Sequence, residues 1–212
     1  MTPLDDTAAA TKAAATKAAA APSPGESPAP RPRPRGRLPG DPTPEQRLAR
    51  IVRVDHAGEY GAKRIYEGQL SVMHRGRHAK TLRHMADQEL EHLQYFEKQL
   101  VARRVRPTVL QPLWHVAGFL LGAGTAVLGE RAAMACTVAV EEVIDGHYEA
   151  QLKHLGPEEA ELKTSILKFQ AEELEHRDIG LHNGAEQAPA YPVLSAAIKA
   201  GTKAVIWVAE RV

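Results

Sequence analysis

Apolar residues along much of the chain recur at alternating spacings of three and four, the period of helices that bury one face. The first such stripe runs Leu48, Val52, Asp55, Glu59, Ala62, Tyr66, Leu70, Met73. A second gives Leu82, Met85, Glu89, His92, Phe96, Leu100, and a third Met134, Val138, Glu141, Asp145, Tyr148, Leu152, Leu155. The fourth gives Leu162, Ile166, Phe169, Glu173, His176, Gly180. Punctuation residues bound these segments. Thr43-Pro44-Glu45-Gln46 supplies an N-cap, a proline at the first helical position and a glutamine able to close a capping box, so helix one should run from there to about Met73. Arg75-Gly76-Arg77 makes a turn, and helix two should continue to about Arg104, before Pro107. Helix three is expected over Glu130 to Leu155, and helix four from Gly156-Pro157 to about His182. The pattern predicts an all-α four-helix bundle.

Two apolar segments lie outside the four stripes. Between Pro107 and Gly129, 23 residues pass without an Asp, Glu, Lys or Arg. That length would cross a bilayer. A crossing would put the two halves of the bundle on opposite sides, so the segment should not span. It is either a core helix or an apolar surface dipping into one leaflet, with Arg103, Arg104 and Arg106 before it and Trp114 within it as interfacial anchors. The last helix, Ala190 to about Glu210, spreads Leu194, Ile198, Val205, Ile206 and Trp207 around its circumference. It is either packed on both sides or lipid-facing.

The stripes carry acids where leucine would be expected. Glu89 and His92, like Glu173 and His176, are three residues apart, which places carboxylate and imidazole one turn apart on one helix face. The second pair repeats the first 84 positions later, and Glu141 follows Glu59 by 82, so the chain reads as two copies of one unit. Spacing alone is a weak signal in a chain with ten His. Placement on the buried stripes is a stronger one. Glu142, by contrast, shares a face with Arg131, Glu149 and Lys153, and Glu172 and Glu175 fall on the flanks. Four buried carboxylates would each cost several kcal/mol unless neutralised. No inward Arg or Lys accompanies them. Two divalent cations would balance four Glu charges, with neutral imidazoles as further ligands. Oxygen-rich coordination with one nitrogen per metal suits iron or manganese better than zinc. The expected ligands are Glu59, Glu89, His92, Glu141, Glu173 and His176.

Composition narrows the rest. With 212 residues and 43% hydrophobic content the chain holds one sizeable domain, expected over 43–212, after an Ala/Pro-rich tail over 1–42 that should be disordered. Lys and Arg total 27 against 26 Asp and Glu, so charge gives no argument for a nucleic-acid partner. A single cysteine, Cys136, excludes an internal disulfide and a cysteine-rich metal site. Asp5, Asp6 and the lack of arginine before Arg31 count against a mitochondrial presequence, and no apolar run follows the start.

Longer motifs carry a resemblance. Val54-Asp-His-Ala-Gly-Glu-Tyr-Gly-Ala62, Arg104-Val-Arg-Pro-Thr-Val109, Ala135-Cys-Thr-Val-Ala-Val-Glu-Glu142, Glu172-Glu-Leu-Glu-His176 and Ala188-Pro-Ala-Tyr191 resemble the demethoxyubiquinone hydroxylase family of ubiquinone biosynthesis. The resemblance covers about Gln46 to the C-terminus. It implies a ferritin-like di-iron monooxygenase that uses dioxygen to hydroxylate the ring of a polyprenylated demethoxybenzoquinol. Carried over position by position, the family's ligands fall on the six residues already selected. Peripheral attachment to a membrane is implied too, through Pro107 to Gly129 and with the last helix as a second candidate. The location would be the cytoplasmic face of a bacterial inner membrane, or alternatively the matrix side of the mitochondrial inner membrane, with room for partner proteins of the pathway or a homo-oligomer. Tyr148, two turns after Glu141, either lines the quinone pocket, shuttles a proton, or is a core tyrosine with a satisfied hydroxyl. His147 sits one position off the stripe, at the surface or behind the ligands. Asp55 either orients a ligating imidazole or is a buried acid bonded to backbone. The rivals are a ferroxidase or iron store, which would have polar outer faces, and a helical scaffold without metal.

Overall fold

Each stripe becomes one helix of a ferritin-like, all-α bundle, with two further apolar helices laid against it. The computed structural model describes residues 38–212, of which Pro42–Val212 form one compact unit. The Ala/Pro-rich tail expected over 1–42 lies, as far as residue 37, outside the described residues. The bundle helices are α1 (Pro44–Met73), α2 (Ala79–Ala102), α4 (Glu130–Leu152) and α5 (Ala160–His182). The apolar additions are α3 (Gln111–Val127) and α6 (Tyr191–Ala209).

Local chemistry sets the ends. At α1 the Thr43 hydroxyl accepts from the Gln46 N–H at 3.1 Å, and the Gln46 side chain accepts from the Thr43 N–H at 2.9 Å, the reciprocal box expected from the sequence. Helix α2 stops two residues short of the expected Arg104, which takes a left-handed φ of 53° as the chain turns toward Pro107. Helix α4 stops three residues short of the expected Leu155, because the His154 N–H closes a tight turn onto the Gln151 carbonyl at 2.8 Å. Leu155 is nonetheless buried, so the stripe continues past the end of the helix.

Helix α1 packs on α2, and α4 on α5. Helix α3 lies along α1 and α6 along α4, so both additions cover the same side of the bundle. Contact between α1 and α3 is backbone to backbone. A Cβ on Gly122 would stand 1.9 Å from the Ile65 carbonyl oxygen, and one on Gly68 would stand 2.2 Å from that of Phe119. The uncharged segment is therefore neither fully core nor fully surface. One face is packed on α1, and the other leaves Leu113, Val116 and Leu120 more than half exposed. Helix α6 behaves alike: Ser195 and Ile198 are buried, while Val193 and Trp207 are exposed. By length and composition alone α6 is apolar enough to cross a membrane.

Close approach at Gly122 gives a direct test. Gly122→Ala is expected to cost about 1–3 kcal/mol in urea unfolding through overpacking. Gly124→Ala, whose Cβ meets nothing within 4 Å, should be neutral or slightly stabilising. Equal stabilities for the two variants would contradict the backbone-to-backbone packing.

Candidate metal centre

Helix periodicity turns the acid-bearing positions of the four bundle helices toward one another. Glu59 comes from α1, Glu89 and His92 from α2, Glu141 from α4, and Glu173 and His176 from α5. All six residues are buried, none more than 3% exposed. They fall into two groups whose donor atoms lie within 4.8 Å of one another: Glu59, Glu89, His92 and Glu173, and then Glu89, Glu141, Glu173 and His176. Glu89 and Glu173 belong to both. Each group thus offers three carboxylates and one imidazole, able to hold a metal ion, and the two groups adjoin through two shared carboxylates.

Glu173 lies between the imidazoles. His92 Nδ1 is 3.1 Å from its Oε1 and His176 Nδ1 is 3.0 Å from its Oε2. His92 Nδ1 is also 3.5 Å from Glu59, and His176 Nδ1 3.3 Å from Glu89. Burial works to raise the Glu173 pKa, but the hydrogen bonds from His176 and His92 override it and bring it to about 2. The same bonds, with one to Glu59, outweigh burial at His92 and push its pKa up to about 12. His176 is raised for like reasons. Glu89 and Glu141 fare differently: burial, followed by the charge of Glu173, lifts both well above the usual carboxylate range.

Unmet hydrogen-bonding capacity marks where a cation fits. Neither oxygen of Glu89 has a hydrogen-bond partner, nor has Glu141 Oε2, although all three atoms are buried. Orphaned carboxylate oxygens at such depth are costly, and a divalent cation satisfies them directly. The other terminal oxygens are held by phenols. Tyr148 donates to Glu59 Oε1, and Tyr66 donates to Glu141 Oε1 at 3.2 Å. Burial, then Glu59 for Tyr148 and Glu141 for Tyr66, raises both phenol pKa values, so both remain donors.

Several of these contacts are absent from the stripes. Glu172, placed by periodicity on a flank, meets His92 Nε2 at 2.9 Å, and Gln88 meets His176 Nε2 at 3.0 Å. Both immediately precede a shared Glu, the one sequence signal that could have found them. Tyr66 stands on the first stripe with nothing in the sequence to pair it with Glu141. Asp55 orients neither imidazole; its Oδ1 accepts from Gln151 at 2.6 Å, and His147 bonds the same amide at 2.7 Å. Of the outcomes expected for Tyr148, the hydroxyl bonded within the core is the arrangement present.

Comparison with known proteins agrees with the geometry. Residues 46–209 match the family model described as ubiquinone biosynthesis protein COQ7. The chain belongs to the COQ7 family. It is 63% identical over 177 residues to the 3-demethoxyubiquinol 3-hydroxylase of Rhodospirillum rubrum, covering 83% of this chain and 84% of that one. It is 55% identical over 166 residues to the human mitochondrial NADPH-dependent 3-demethoxyubiquinone 3-hydroxylase, covering 76% of each. To the mitochondrial 5-demethoxyubiquinone hydroxylase of Saccharomyces cerevisiae it is 43% identical over 182 residues, 78% of each. All six candidate ligands lie inside the COQ7-family match.

Without metal, the surroundings of His92, His176, Glu89 and Glu141 all favour the protonated form. A divalent cation must displace those protons, so affinity should rise with pH between about pH 6 and 8. Calorimetry in buffers of different ionisation enthalpy should register proton release on loading. Binding without release would contradict the assigned protonation.

Proposed function

We propose that the chain hydroxylates the ring of a polyprenylated demethoxybenzoquinol in ubiquinone biosynthesis, using two iron ions held by Glu59, Glu89, His92, Glu141, Glu173 and His176. The observation that carries this is the pair of adjoining ligand groups sharing Glu89 and Glu173. A donor set of carboxylates with one imidazole per ion suits iron better than zinc. When bound, the iron pair supplies the electrons that activate dioxygen.

The chain's own residues supply position and shielding. Tyr148 and Tyr66 fix Glu59 and Glu141, leaving the second oxygen of each to face the site. Burial of all six groups excludes bulk water, which protects the reaction from side hydrolysis and strengthens every charge interaction inside. One oxygen atom enters the ring as a hydroxyl, and the other leaves as water, consuming two electrons and two protons from an external reductant.

An apolar groove of about 500 Å³ between α1, α3, α4 and α6 suits an apolar, prenylated substrate. Gly58 and Val140, which line it, directly precede Glu59 and Glu141. The groove is bordered by α3 and α6, whose outward Leu113, Val116, Leu120, Val193 and Trp207 are exposed. Laid on a membrane by these faces, the protein would receive the quinol ring while the polyprenyl tail stays in lipid. Arg104 and Arg106 remain exposed for anionic headgroups, whereas Arg103 is engaged by Glu159 at 2.6 Å. The proposed location is the cytoplasmic face of a bacterial inner membrane, with the matrix side of the mitochondrial inner membrane as the equivalent in organelles. A ferroxidase or storage role would call for polar outer faces, which α3 and α6 lack.

Isotope transfer tests the proposal. After anaerobic loading with ferrous iron, the protein is given demethoxyquinol, a reductant and heavy-oxygen dioxygen. One labelled oxygen atom per hydroxylated product is expected by mass spectrometry. A loaded protein that consumes dioxygen without labelling the quinol would overturn the hydroxylase assignment.

A further inference from the structure

The candidate centre has an internal two-fold correspondence. Glu89 pairs with Glu173 and His92 with His176, each 84 positions apart; Glu59 pairs with Glu141 and Tyr66 with Tyr148, each 82 apart. Hydrogen bonds obey the same exchange. Tyr66 of α1 donates to Glu141 of α4, and Tyr148 of α4 donates to Glu59 of α1. Each imidazole turns Nδ1 toward the carboxylates and Nε2 away from them, and each Nε2 is met by a side chain of the opposite helix. For His92 that group is Glu172, and for His176 it is Gln88. These two also stand 84 positions apart, so the same place in the fold holds an acid in one half and an amide in the other.

We propose that this substitution makes the two metal positions unequal, the ion beside His92 being held more tightly and loading before the ion beside His176. The inference rests on the dimetal assignment above. With Nδ1 facing the ion, the ring proton sits on Nε2 and is donated outward. A ligated imidazole pushes positive charge onto that N–H, and a carboxylate acceptor answers it with a charge-assisted bond, which an amide oxygen cannot do. Outer partners of this kind raise ligand basicity and fix ring orientation, and their loss costs about 10–100-fold in metal affinity. Glu172 stands where it can accept that hydrogen bond through Oε2, its side chain 22% exposed and its other oxygen 3.5 Å from Lys168 Nζ. A second exchange nearby, Asp55 against Thr137, does not bear on the imidazoles, because Asp55 is bonded to Gln151. Glu172 and Gln88 are therefore positioning residues that act through His92 and His176.

Cobalt(II) titration of the metal-free protein, followed by ligand-field absorption and calorimetry, reads the inequality without any turnover. Two binding steps are expected, with circular dichroism confirming that each variant retains its helices. Glu172→Gln should weaken the first step about 10–100-fold and bring the steps together. Gln88→Glu should instead tighten the second step, and the double exchange should restore two separated steps. A first step unmoved by Glu172→Gln, or a second unmoved by Gln88→Glu, would overturn the inference while leaving the centre intact. Fewer than two cobalt ions per unaltered chain would instead overturn the dimetal assignment itself.

Discussion

Four carboxylates share an interior from which water is excluded, and the architecture is arranged around making that tolerable. Glu173 keeps its charge because two imidazoles donate to it. Glu89 has only a 3.3 Å ion-pair contact from His176 Nδ1, and neither of its oxygens has a hydrogen-bond partner. Leaving an ionised group so placed costs several kcal/mol, comparable to a large fraction of a domain's net stability. A fold retains that cost where cations cancel it. The four bundle helices, the phenols on the terminal carboxylates and the side chains behind the imidazoles all hold one charged cluster in register.

Labour is divided between the helix pairs. Helices α1 and α4 each give one Glu and one Tyr, and their opposite sides form the floor of the apolar groove. Helices α2 and α5 each give a shared Glu and a His, and bond the other's imidazole from behind. The apolar groove thus opens on the α3 and α6 side, while the α2 and α5 side is cross-linked by polar contacts. Dense packing makes this possible: Ala132, Ala133, Ala135 and Ala139 on α4 are almost fully buried, as is Cys136, a small core residue here.

Much of this was legible in the sequence because helical period converts linear position into direction. Glu141 could be told from Glu142, and Glu173 from Glu172, by the face each shares, and the structure buries the first of each pair far more deeply. Contacts between helices were not legible. Tyr66 to Glu141 and Glu172 to His92 join residues at least 75 positions apart, and periodicity within a helix carries no information about which flank meets which neighbour. The half-exposed character of α3 was hidden for a related reason: a run without charges looks the same whether one face or both are covered. Arg103 looked free because Glu159, its partner, belongs to a turn two helices further on.

Everything else turns on Glu89 and Glu173 being shared by two ions inside one chain. Iron content and Mössbauer spectra of protein loaded anaerobically with ferrous iron and then oxidised decide the point. Two irons per chain in a magnetically coupled pair are predicted. A single iron, or two ions that behave as isolated centres, would show that the carboxylates are not shared.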